Sequence, residues 1–129
     1  MAEEKDQCLF CDLCATGTET IVDTRCFFVK FDSYPVNRGH ALVIPKRHCQ
    51  DIFSLVANEW EDLFIAIGRT KKYLDRIFEP NGYNIGINCG EAAGQTVSHL
   101  HIHIIPRYKG DVENPRGGIR NFKCPPRDY

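Results

Sequence analysis

The stretch His99-Leu100-His101-Ile102-His103-Ile104-Ile105 places three of the chain's five histidines at every second position. A β-strand sends successive side chains to opposite faces. The spacing therefore predicts Leu100, Ile102 and Ile104 on a buried face and a row of imidazoles on the other, about 7 Å apart from two residues of ~3.3 Å rise. One histidine on an apolar strand is usually a hydrogen-bonded structural residue, but three in register predict a functional row, a chemical surface rather than a core. Such a row suits two chemistries, imidazole as metal ligand or imidazole as nucleophile and proton carrier.

Working outward, the segment from Asn88 to Ser98 runs straight into this row. Gly90 and Gly94 permit backbone conformations that let several N–H groups converge on an anion, and Gln95, Thr96 and Ser98 add side-chain donors. A phosphate held at the imidazoles is the natural inference. Residues 83–88 read as a strand. Further back, residues 32–39 carry the turn formers Ser33, Pro35, Asn37 and Gly39 and lead into a strand over 40–45 that His40 opens. Asp32 suits either a turn or the acceptance of hydrogen bonds from ribose hydroxyls.

The remaining pattern completes the frame. Strands are expected over 20–23 and 26–31. A long helix starts at Asn58, with Glu61 in capping-box spacing and Trp60, Phe64, Ile67, Leu74 and Ile77 as its apolar face, and Pro80-Asn81-Gly82 ends it. A shorter helical turn over 51–56 precedes it, with Asp51 as cap. One long helix, one short helix and about five strands give an α+β fold with a mainly antiparallel sheet. Residues 107–129 form a Gly-, Pro- and Arg-rich arm, either ordered or partly mobile.

At 129 residues and 43% hydrophobic content, the chain fits a single domain spanning 1–129. Sixteen Lys and Arg against 17 Asp and Glu leave a net charge of −1, without the basic stripe of a general nucleic-acid binder. Long nucleic acid is not an expected partner. The polar residues 1–7 resemble no signal peptide and no apolar run approaches membrane-spanning length, so a soluble, cytoplasmic protein is expected. Seven cysteines, an odd number, argue against a full disulfide framework and for thiolates on a metal. Cys8-Leu9-Phe10-Cys11 is a C-x-x-C pair in residues 8–17, which read as an irregular knuckle. Zinc is favoured over a redox role, because the pair lacks the strand-to-helix setting of a thioredoxin-like site. A closed tetrahedral site needs two further ligands, for which His48 and His99 are candidates, while Cys14 forms a second, competing C-x-x-C with Cys11.

The order Asp32, Pro35, His40-Ala41-Leu42-Val43-Ile44-Pro45, Asn88-Cys89-Gly90, Gly94-Gln95-Thr96-Val97 and His99-Leu100-His101-Ile102-His103-Ile104 resembles the histidine triad (HIT) nucleotide hydrolases and transferases. The likeness runs from about residue 8 to 111, and the stretch from His103 to Asp111 is nearer the Fhit-like branch than the Hint branch.

The resemblance implies a HIT-like fold of five strands and cleavage at the α-phosphate of a nucleoside polyphosphate, such as a dinucleoside polyphosphate, or of another AMP conjugate. His101 would be the nucleophile, forming a covalent nucleotidyl-histidine, with His103, His40 and Gln95 completing the catalytic set. Asp32 would hold the ribose, and Asn88, Gly94, Gln95, Thr96 and Ser98, with His101 and His103, would bind the nucleotide. It further implies a structural zinc on Cys8, Cys11, His48 and His99 within an N-terminal segment 1–17, and a homodimer. Arg116 and Arg120 are candidates for contacts to distal phosphates or a second subunit. Two alternatives stand beside this reading. One is a catalytically weak nucleotide-binding regulatory protein, disfavoured by the intact triad. The other is a catalytic metal site on a barrel, which the long helix fits poorly.

Overall fold

The computed structural model describes residues 8–17 and 19–122; residues 1–7, the end of the arm at 123–129 and Thr18 lie outside that description. Five strands, β1 (Val22–Asp23), β2 (Phe27–Phe31), β3 (Ala41–Pro45), β4 (Gly82–Ile87) and β5 (Ile102–Arg107), pair antiparallel in the order β1-β2-β3-β5-β4. Two helices, α1 (Leu9–Thr16) and α2 (Ala57–Phe78), complete the expected α+β architecture.

Alternation does what the sequence demands. Phe27, Val29, Ala41, Val43, Leu100, Ile102 and Ile104 bury one face of the sheet against Leu63, Ala66 and Leu74 of α2. Phe28, Leu42 and Ile44 face the other way and pack under Cys8 and Phe10. The registers Leu42 with His103 and Lys30 with Leu42 put His103 on this second face. The first face is the larger core, and the second carries the chemistry.

Several expectations are corrected. Residues 8–17 are not an irregular knuckle: Cys8 caps α1, and Gly17 closes it in the left-handed region, at φ 66°, where its N–H reaches the Leu13 carbonyl at 2.8 Å. The first strand is only two residues long, although Ile21 N–H still bonds the Val29 carbonyl at 2.7 Å. Asp51 caps as expected, its carboxylate accepting the Phe53 N–H, but the turn is a single 3-10 turn over Ile52–Ser54.

Helix α2 begins one residue before Asn58, and Glu59 rather than Glu61 closes its start by accepting the Val56 N–H at 3.0 Å. Val56 has no side-chain acceptor, so its carbonyl takes the Glu59 N–H instead, at 2.9 Å. The buried face of α2 is also rotated. Leu63, Ala66, Thr70 and Leu74 face the sheet, while Trp60, Phe64 and Ile77 are exposed and Ile67 is half-buried. Close packing against the twisted sheet needs the small side chains of Ala66 and Thr70, a requirement that a count of large apolar residues does not register.

β5 starts at Ile102, so His99 and His101 precede the strand while keeping its alternation. β5 also runs past Pro106, beyond the last β3 pair at Ala41 with Ile104, so the missing proline N–H interrupts no β3–β5 bond. The described part of the arm is ordered: a 3-10 turn over Gly118–Arg120 brings Ile119 against Gly86 of β4. No helix among the described residues is long and apolar enough to cross a membrane.

Candidate active site and metal-binding cluster

The histidine row is not an open surface. His99 is fully buried and His101 nearly so, because α1 lies over them and Phe10 makes T-shaped ring contacts with both, with centroids 5.8 and 5.2 Å away.

At one end of the row four donors converge. Cys8 and Cys11 stand three residues apart at the start of α1, which puts both sulfurs on one side of the helix. His48 follows β3 and His99 precedes β5. Cys8 Sγ lies 3.2 Å from His99 Nδ1, Cys11 Sγ 3.2 Å from His48 Nδ1 and 3.5 Å from His99 Nδ1, and the two Nδ1 atoms are 3.1 Å apart. All four ligand atoms fall within 4.8 Å of one another. The edges of a tetrahedral two-sulfur, two-nitrogen site measure about 3.3–3.8 Å, from metal bonds of ~2.3 and ~2.0 Å, so this donor set fits a metal ion.

The tautomers agree with that fit. His99 Nε2 lies 2.9 Å from the Pro45 carbonyl and must donate there, which leaves the Nδ1 lone pair turned toward the two sulfurs and the His48 ring. Burial pushes the His99 pKa down to about 4, so the ring is the neutral imidazole that a metal requires. Cys14 stands outside the group and packs with Leu13 against the smaller core.

His101 comes next. Its Nδ1 is 2.9 Å from the His99 carbonyl, so Nδ1 carries the proton and Nε2 bears the free lone pair. The ring is flanked by Phe10 and by His103, whose centroid is 5.1 Å away.

At the far end, Asp32, His40 and His103 form a second group. The Val36 N–H donates to His40 Nδ1 at 3.0 Å, so the neutral ring has its proton on Nε2. That proton lies 3.0 Å, between heavy atoms, from His103 Nδ1 and 3.4 Å from Asp32 Oδ2. His103 Nδ1 therefore accepts, and its other nitrogen, Nε2, carries the N–H. The same reasoning makes this trio a poor metal site, since coordination at His40 Nε2 would leave both ring nitrogens without protons. Burial lowers the His40 pKa against the opposing pull of Asp32. His103 is held down at about 4 by burial, and then by its neighbours His101 and His40, with Asp32 again opposing. Asp32 Oδ1 accepts the Tyr34 N–H at 2.8 Å, an Asx-turn that fixes the carboxylate at the imidazoles.

Gln95 has a bracing role in this structure. Its Oε1 accepts the Gly90 N–H at 2.9 Å, and its amide donates to the Gln50 and Val97 carbonyls at 2.8 and 3.1 Å, closing the loop before the histidine row. Asn88 Nδ2 lies beside Gly94, 3.9 Å from where a Cβ would stand. Among the described residues the side chains of Asn88, Thr96 and Ser98 make no hydrogen bond, which leaves their donors available.

Four participants escaped the sequence reading: Phe10, the Val36 N–H, and the carbonyls of Pro45 and His99. Phe10 had a signal, since it lies between the two cysteines of the C-x-x-C. Backbone groups have none.

A HIT domain model matches residues 16–110. The chain is 37% identical over 95 residues to the bis(5'-nucleosyl)-tetraphosphatase [asymmetrical] of Schizosaccharomyces pombe, covering 74% of this chain and 52% of that protein. It is 39% identical over 97 residues to the bis(5'-adenosyl)-triphosphatase of Dictyostelium discoideum, covering 75% and 65%. The chain thus spans about half to two-thirds of the length of these relatives. Among solved structures, a zinc-bound histidine triad family protein from Mycobacterium smegmatis superposes with a TM-score of 0.74 at 32% identity, over 84% of this chain and 80% of that one. The matched span takes in the imidazole row, the loop before it and the strand that His40 opens: this chain belongs to the histidine triad (HIT) family.

Proposed function

We propose that this chain is a nucleotidyl hydrolase or transferase that cleaves at the α-phosphate of a nucleoside polyphosphate, adenosine being the expected nucleoside, through a nucleotidyl group on His101. The observation that carries the proposal is the lock between His101 Nδ1 and the His99 carbonyl, which commits Nε2 to nucleophilic attack. Attack forms an N–P bond while the P–O bond to the leaving group breaks, and the departing oxygen takes the bonding pair. Positive charge then develops on the His101 ring, and its Nδ1–H bond to the His99 carbonyl strengthens as it does. A contact that tightens only as the reaction proceeds lowers the barrier rather than the ground state. Water ends the cycle by displacing the imidazole.

The Val36–His40–His103 chain supports the second role. It orients His103 Nε2–H as a donor to a phosphate oxygen, with no need for a charged imidazolium. Thr96, Ser98 and Asn88 supply further donors, and Gln95 acts by holding the loop that carries them. Asp32 keeps lone pairs for a ribose hydroxyl beside its contact with His40. The names of the relatives, a tetraphosphatase and a triphosphatase of dinucleotides, favour a dinucleoside polyphosphate as substrate.

Cys8, Cys11, His48 and His99 would hold a zinc ion in a structural role, tying α1 to the ends of β3 and β5. Four protein donors leave no open position, so no metal-bound water is needed. A second copy of the chain is the expected partner, through the β4 edge with its half-exposed Ile85 and the exposed Trp60 and Phe64 of α2.

Intact-protein mass spectrometry after brief mixing with diadenosine tetraphosphate tests the reading. An added nucleotidyl mass on the natural chain, absent from His101→Gly, is the expected result. No adduct and no substrate loss, in a protein that still binds AMP, would overturn the enzyme reading in favour of a binding protein.

A further inference from the structure

We infer that Phe10 is a positioning residue for the proposed nucleophile: α1, anchored by Cys8 and Cys11, acts as a clamp that holds the His101 ring in its attacking pose. The inference rests on the reading of His101 as nucleophile. Phe10 lies between the two cysteines, is almost fully buried, and touches the His99 and His101 rings edge-on with interplanar angles of 88° and 67°. His101 is thus held by two links that both lead to the four-donor cluster. One is its Nδ1 bond to the carbonyl of His99, and the other is Phe10, which the chain carries between Cys8 and Cys11.

The clamp needs an anchor because α1 has only eight residues, too few to persist as a helix without tertiary support. Its apolar contacts are Phe10 and Leu13 against Phe28, Leu42 and Ile44. The sulfur contacts to His48 and His99 fix it along the histidine row. Without the Phe10 ring contact, the His101 ring gains freedom to rotate about its side-chain bonds and to exchange the Nδ1–H tautomer for the Nε2–H form, which has no lone pair on the attacking atom.

The test uses zinc-loaded full-length protein with Phe10→Ala and Phe10→Leu, the second keeping apolar volume without an aromatic edge. Nitrogen–proton NMR of the histidine side chains reads the His101 tautomer, mass spectrometry reads bound zinc, and rapid quench reads nucleotidylation by diadenosine tetraphosphate. Expected in both variants is one zinc per chain as in the natural protein, a His101 signal shifted toward a tautomer mixture, and nucleotidylation slowed roughly fivefold to tenfold, the factor of one edge-on aromatic contact. AMP affinity should change less than twofold, which separates positioning from binding.

Should Phe10→Ala lose zinc or fail to fold, Phe10→Leu decides alone. A zinc-loaded Phe10→Leu protein with an unchanged His101 spectrum and an unchanged nucleotidylation rate overturns the inference. That outcome is distinct from failure of the proposed function, in which the natural chain forms no adduct at all.

Discussion

Three backbone groups decide which nitrogen of each imidazole does what: the Pro45 carbonyl at His99, the His99 carbonyl at His101, and the Val36 N–H at His40. Each forces one tautomer: His99 turns Nδ1 toward the cysteine sulfurs, His101 keeps its lone pair on Nε2, and His40 points its Nε2 proton at His103. Gly39 is what lets the loop before His40 make the Val36 contact. Its φ is 85°, and a Cβ there would stand 2.9 Å from the Phe78 ring and 3.1 Å from Pro106. Gly39→Ala should cost about 1–3 kcal/mol in urea unfolding, and slow turnover by disturbing His40. The depressed histidines also make stability depend on pH. An unfolded imidazole binds a proton near pH 6.5, whereas folded His103 does so only near 4. Stability is therefore full above pH 6.5 and falls as the pH drops toward 4, by about 3 kcal/mol from His103 alone. Urea midpoints at pH 7.5 and 4.5 should show this loss, and His103→Gln should make it shallower.

At the scale of elements, α2 and α1 carry opposite lessons. The 3.6-residue period correctly announces a long helix, yet the side chains that face the sheet are Leu63, Ala66, Thr70 and Leu74 rather than the bulkiest ones available. Thr70 is fully buried, with its hydroxyl satisfied by the Ala66 carbonyl at 2.7 Å. Leu74→Ala should lose about 2–5 kcal/mol as a core truncation. On the proposed pairing of two copies, Phe64→Glu should leave the fold intact and lower the mass read by sedimentation, because Phe64 is 80% exposed. Helix α1 reads from sequence as a knuckle because its cysteines mask a helical spacing. Their three-residue separation is the helical period, and the donors that make it meaningful lie 37 and 91 positions away.

Across the whole molecule, the sheet brings the four candidate ligands together. The four donors come from the start of α1, the segment after β3 and the segment before β5, so an ion bound there would staple three distant parts of the chain. On the proposed zinc assignment, a strong chelator should lower the thermal midpoint by several degrees, as expected when a tightly bound ligand of the native state is lost. Cys8→Ser should reproduce that loss in untreated protein, and Cys14→Ser should retain one bound zinc per chain. Differential scanning calorimetry with metal analysis checks all three.

The fold class and the approximate places of the strands and the long helix were legible in the sequence, because alternation and turn chemistry are local properties of neighbouring residues, whereas the order β1-β2-β3-β5-β4 was not. His101 was singled out by the family resemblance, and spacing alone left Cys14 competing with Cys8 and Cys11, whereas the fold brings Cys8, Cys11, His48 and His99 together. Three further things were decided only by tertiary structure. The histidine face is roofed by α1, the buried side of α2 is chosen by fit against a twisted sheet, and each imidazole's tautomer is set by a backbone group. The physical reason is common to all three. Packing and hydrogen-bond partnership depend on atoms brought together from tens of residues apart, and main-chain carbonyls and N–H groups are the same at every position until the fold chooses which of them an imidazole meets.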